Sequence, residues 1–90
     1  MRKHYNISVA GRVQGVFFRA STKTSADHLN IHGFVKNMPD GSVYIEAEGE
    51  EADLKQFVEW CSQGPKAAKV DKCEVVEGGM KNFTQFKIDR

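Results

Sequence analysis

The 90-residue sequence holds only two prolines, two cysteines and one tryptophan. Cys61 and Cys73 are too few for a disulfide framework and too far apart for a Cys-x-x-Cys motif, so buried free thiols are expected. No apolar run approaches the roughly 20 residues that a spanning helix needs, and no membrane association is expected. An excess of one charge sign is missing too: thirteen Lys and Arg stand against twelve Asp and Glu, a formal charge of +1. That balance argues against nucleic acid as a partner, and it makes any anion site local. His, Cys, Asp and Glu form no cluster at metal-ligand spacing, so neither a metal nor another cofactor is expected. Met1 to Tyr5 mix charge and polarity without a signal or transit pattern, which predicts a cytoplasmic protein.

What is present is the composition of a folded domain, with 40% hydrophobic and 28% charged residues. The length predicts one domain over residues 1–90, with a monomer as the expected state. Tyr5, Ile7 and Val9 alternate with polar or small residues, as in a strand with one buried face. Phe18, Thr22, Ala26 and Leu29 share one helical stripe, and Asn30 is expected to end that helix. Ile31 to Asn37, the turn Met38-Pro39-Asp40-Gly41 and the alternating Val43, Ile45 and Ala47 read as a hairpin.

Glu50 and Glu51 suit the positive end of a second helix carrying Leu54, Phe57, Val58 and Cys61, which Gly64-Pro65 ends. Val70 to Glu77 and Phe83 to Ile88 read as two more strands, separated by Gly78-Gly79. The order β-α-β-β-α-β with an extra C-terminal strand predicts an α+β, ferredoxin-like sandwich, with two helices on one face of a mainly antiparallel sheet.

The segment from Gly11 to Arg19 carries the strongest chemical signal. It joins a strand to a helix with two glycines and places an arginine at the helix start. Backbone N–H groups of such a turn converge on one point, and the helix dipole adds to them. A cation at a helix N-terminus is misplaced unless an anion lies between it and the dipole. Taken alone, a glycine-bearing loop is more often just a tight connection, and an asparagine before a turn often just ends a strand. The loop is not a Walker motif, because no Gly-Lys-Ser/Thr follows the last glycine.

Gly11-Arg12-Val13-Gln14-Gly15-Val16-Phe17-Phe18-Arg19 resembles the acylphosphatase signature Gly-x-Val-Gln-Gly-Val-x-Phe-Arg at every fixed position. Gly33-Phe34-Val35-Lys36-Asn37-Met38-Pro39-Asp40-Gly41-Ser42-Val43 is similar to that family's second signature. Asn30, Phe34 and Ser42 depart from the glycine, tryptophan and threonine common there, and both catalytic positions match. The resemblance implies hydrolysis of acyl phosphates to carboxylate and inorganic phosphate. Arg19 would hold the phosphate with Gln14, Gly15, Val16, Phe17 and Phe18 of the loop, and Asn37 would position the attacking water. It implies a small-molecule acyl phosphate as substrate, and inorganic phosphate or sulfate as a ligand of the same loop. Asn37 suits that duty chemically, since its amide donates and accepts while staying neutral beside an anion.

Rival readings have weaker footing. His28 and His32 are four residues apart, but a helix end between them should turn the rings away from each other, and His4 lies in the lead-in, so surface histidines are expected. Cys61 falls on an apolar stripe and Cys73 has no evident base, which disfavours a thiol nucleophile. An RNA-recognition module shares the predicted fold, but Tyr44 is the only aromatic expected outward on its strand, beside Glu46 and Glu48, and those acids would repel a phosphate backbone. A non-catalytic anion-binding domain of the same family is the nearest alternative.

Overall fold

A computed structural model describes residues 1–89. The elements are β1 (Arg2–Arg12), α1 (Phe18–His28), β2 (His32–Asn37), β3 (Val43–Glu50), α2 (Glu51–Gln63), β4 (Lys69–Gly78) and β5 (Phe86–Ile88). The strands form one sheet in the order β4-β1-β3-β2-β5. β2 and β5 run parallel, and the other neighbours are antiparallel. Both helices pack on one face, which is the expected ferredoxin-like sandwich. Among the described residues, no helix is long and apolar enough to cross a membrane.

Strand register explains the buried face. Ile7 sits opposite Ile45, Val9 opposite Val43 and Val35 opposite Ile45, so the alternation of each strand delivers its apolar residues to the same side. Phe18, Ala26, Leu54, Phe57 and Cys61 close over them and are fully buried or nearly so. Burial of a side chain the size of Phe57 contributes about 1.5–3 kcal/mol. Cys61 and Cys73 are both free, Cys61 buried as expected and Cys73 only half-buried. Burial, with Cys73 nearby as a second cause, pushes the Cys61 thiol well above its ordinary range. An inert thiol suits that environment.

β1 is longer than its alternation alone predicts, because both neighbours reach back along it: Arg2 pairs with Glu50 and His4 with Gly78. At its other end the ladder with β4 shifts between Ala10 and Gly11. Gly11 has φ of 131°, and a Cβ there would collide with the Lys69 carbonyl. Only glycine fits this bulge, which releases the chain into the loop before α1.

The opposite face departs from expectation in two places. His4 is buried, not a surface histidine, and Glu46 and Glu48 are buried, not solvent-facing. The reason is the segment from Gly79 to Gln85, which crosses this face as a strap between β4 at one edge and β5 at the other. Glu48 accepts hydrogen bonds from the Lys81 and Phe83 backbone N–H groups, and its Oε2 lies 2.7 Å from His4 Nδ1. Because the Phe83 N–H is used this way, the expected strand from Phe83 starts only at Phe86. Of the other histidines, His28 is exposed and His32 is half-buried against the Phe83 carbonyl. The acidic pair therefore gives no reason against nucleic acid. A different observation replaces it: the face on which an RNA-binding sheet would stack bases carries the strap.

Candidate active site

The loop between β1 and α1 is built from backbone geometry rather than side chains. Gly15 has φ of 72° and Phe17 has φ of 63°, both in the left-handed region. Residues alternating into this region turn successive N–H groups toward one concave side, the geometry of an anion nest. Gly15 accepts the conformation freely, whereas for Phe17 it costs on the order of 1–2 kcal/mol.

Phe17 is also the N-cap of α1, and it provides no side-chain cap. The first turn of α1 contains no acidic residue, while α2 carries Glu51 and Asp53 in its first turn. The positive end of α1 thus stands uncompensated, with its first N–H groups left to an outside acceptor.

A cavity of about 400 Å³ opens at this helix end. Gly15, Phe17, Phe18 and Arg19 line it from the loop and α1, Asn37 from the end of β2, and Ile88 from β5. Sequence reasoning named all of these except Ile88, whose place depends on β5 lying beside β2. The Arg19 guanidinium donates to the Asp89 carbonyl at 3.1 Å through Nη1. Asp89 is itself held by its N–H donating to the Val35 carbonyl at 2.8 Å. The far end of the sheet thereby steadies the cation at the cavity.

Asn37 ends β2 opposite Val43. Its Oδ1 is buried and has no hydrogen-bond partner among the described residues. Asn37 reaches the cavity from the strand end facing the loop and Arg19.

The other predicted loop residues divide by what they offer. Val16 is buried, Phe17 is 81% exposed and Phe18 belongs to the core, so each can serve an anion only through its backbone N–H. Gln14 has its side-chain amide committed elsewhere: Nε2 donates to the Met38 carbonyl at 2.8 Å and to the Ser42 carbonyl at 2.9 Å. Met38 and Ser42 belong to the turn that follows Asn37. Among the described residues, the cavity lining contains no carboxylate, imidazole or thiol, and no group of three metal-ligating side chains occurs.

Known proteins share both the fold and the site-bearing segments. The acylphosphatase family profile matches residues 5–88. An acylphosphatase of Marinobacter nauticus is 45% identical over 84 residues, 92% of this chain and 91% of that protein. The crystal structure of acylphosphatase from Bacillus subtilis superimposes with a TM-score of 0.95 at 41% identity, covering 100% of both chains. An acylphosphatase structure from Coxiella burnetii gives a TM-score of 0.95 at 33% identity, over 98% of this chain and 93% of that one. With its whole fold and nearly its whole length matched at such identities, this chain belongs to the acylphosphatase family.

Proposed function

We propose that the chain hydrolyses the carboxyl-phosphate bond of small acyl phosphates, with Arg19 and the Gly15 to Phe18 backbone binding the phosphoryl group and Asn37 orienting the water. The observation that carries this reading is the single cavity shared by the uncapped α1 N-terminus, Arg19 and Asn37. The phosphoryl oxygens accept from the loop N–H groups and the guanidinium, which spreads their negative charge over fixed donors. The Asn37 side-chain amide hydrogen-bonds the water, aiming its lone pair at phosphorus.

As the water oxygen bonds to phosphorus, the bond from phosphorus to the acyl oxygen breaks. The carboxylate departs with that electron pair, leaving inorganic phosphate. A carboxylate leaves without protonation, so no general acid is required, and a phosphoryl oxygen takes the water's proton. The chemistry consists of positioning and charge stabilisation, the two contributions that dominate phosphoryl transfer.

Hydrolysis of benzoyl and acetyl phosphate by purified protein tests the reading, with Arg19→Ala and Asn37→Ala beside it. A folded wild-type protein that binds phosphate but hydrolyses neither substrate would instead be a non-catalytic anion-binding domain.

A further inference from the structure

We infer that Gln14 is a positioning residue: it clamps the phosphate loop to the turn that carries Asn37 and sets the distance between bound phosphate and water. The inference rests on the function proposed above. Both groups that face the Gln14 side chain are carbonyl oxygens, so the atom between them must be the amide nitrogen, and both of its hydrogens are used. Those oxygens are already the anchors of the turn. The Met38 N–H donates to the Ser42 carbonyl at 2.8 Å, and the Gly41 N–H donates to the Met38 carbonyl at 3.1 Å. Ser42 is fixed further by its N–H and hydroxyl, which donate to Asp40 Oδ1 at 2.9 and 2.6 Å.

Gln14 therefore closes a rigid turn onto the residue just before Gly15. Asn37 is adjacent to Met38 in this clamp, and Gly15 is adjacent to Gln14. No other side-chain hydrogen bond among the described residues joins the Gln14 to Phe17 loop to the Asn37 to Ser42 segment. The phosphate donors lie on the loop and α1, and Asn37 stays in its ladder opposite Val43, so loss of the clamp leaves both parts built while their separation drifts. A displacement of about 1 Å at a reacting group costs up to roughly 100-fold in rate. The expected signature is thus a loss of turnover without a matching loss of phosphate affinity.

The test uses Gln14→Met, which keeps length and removes both donors, and Gln14→Glu, which keeps shape and sets a carboxylate against two carbonyls. For each, kcat, KM and competitive inhibition by inorganic phosphate are measured on benzoyl phosphate, with circular dichroism and thermal midpoints to establish folding. Gln14→Met should lower kcat roughly 10- to 100-fold and leave the phosphate inhibition constant within about twofold. Gln14→Glu should lose turnover at neutral pH and regain part of it on acidification, as the protonated carboxyl donates to one carbonyl again. The Asn37 side-chain amide resonances should move in Gln14→Met, a readout independent of turnover.

A lowered thermal midpoint with normal kcat would make the bonds merely stabilising and overturn the inference. A loss confined to phosphate binding would move Gln14 into the anion site, and unmoved Asn37 resonances would overturn the clamp outright. Absence of hydrolysis by wild-type protein defeats the proposed function instead, and the resonances still decide the clamp.

Discussion

Glu48 Oε2 and His4 Nδ1 meet at 2.7 Å across the covered face of the sheet, between residues 44 apart in sequence. Burial pushes the Glu48 carboxyl up, but the N–H groups of Lys81 and Phe83 and the His4 ring outweigh it and hold the group below its ordinary 4.5. Burial likewise raises Glu46, and the Lys81 ammonium and Tyr44 hydroxyl outweigh that. For carboxyls depressed in the folded state, the stabilisation is present above the unfolded value and is lost as pH falls through the folded one. Stability should therefore hold near neutrality and decline below about pH 4.5. Glu48→Gln, whose amide NH2 replaces one of the two oxygens that accept from the Lys81 and Phe83 N–H groups, should cost about 1–3 kcal/mol at pH 7 and flatten the acid limb. Thermal midpoints against pH for both proteins check this, and parallel acid limbs would refute it.

Tyr44 produces the opposite limb. Burial first, and then its hydrogen bond to Glu46, push the phenol up to about 12 from 10.0. A folded value raised above the unfolded one contributes stability below pH 10 that disappears as pH rises toward 12. Tyr44→Phe should remove this alkaline dependence, read from urea midpoints between those two pH values.

Asn37→Ala should abolish most turnover, by about 100-fold or more on the scale of a lost transition-state donor, while phosphate affinity stays nearly unchanged. Arg19→Ala should damage both, because the guanidinium faces the anion in ground and transition states alike. Calorimetric titration with phosphate, alongside benzoyl phosphate kinetics, separates the two. Near-normal turnover in folded Asn37→Ala would sink the water-orienting role.

Inorganic phosphate or sulfate should raise the thermal midpoint saturably at constant ionic strength, since a ligand of the folded state stabilises it by mass action. Hydrolysis should survive exhaustive chelation, because among the described residues the cavity lining offers no carboxylate, imidazole or thiol to hold an ion. Activity restored specifically by a divalent cation would contradict this.

Phe17→Gly should stabilise the fold by on the order of 1 kcal/mol. The side chain is 81% exposed and its φ is 63°, so little packing is lost and left-handed strain is relieved. Denaturant midpoints decide, and destabilisation would mean that the ring carries packing its exposure does not suggest.

Much of the fold was legible in local pattern, because the alternation of Ile7, Val9, Val43 and Ile45 and the stripe of Leu54, Phe57 and Cys61 follow the periods of their elements. The cavity's principal residues were legible as well, since Gly15 through Arg19 form one contiguous loop and Asn37 precedes a recognisable turn. What escaped depends on pairing between distant segments. His4, Glu46 and Glu48 occupy polar positions of strands whose outer faces local pattern leaves open to water, and only the strap from Gly79 to Gln85 buries them. Ile88 enters the cavity because β5 joins β2 rather than its sequence neighbour β4. Gln14 looked like part of the anion loop, and nothing in its own surroundings announces the Met38 and Ser42 carbonyls.

The pairing of β1 has a consequence for how the protein is made. Its neighbours are β3 and β4, so even the nearest pairs, Val9 with Val43 and Arg12 with Lys69, are far apart in sequence, and the ladders close only at Arg2 with Glu50 and His4 with Gly78. No adjacent hairpin shelters the strand as it leaves the ribosome, and closing such long loops must precede the contacts that reward it. Refolding on the order of milliseconds to seconds follows from this non-local topology. During synthesis, the apolar face of β1 remains uncovered until α2, Glu51–Gln63, has emerged to pack on it.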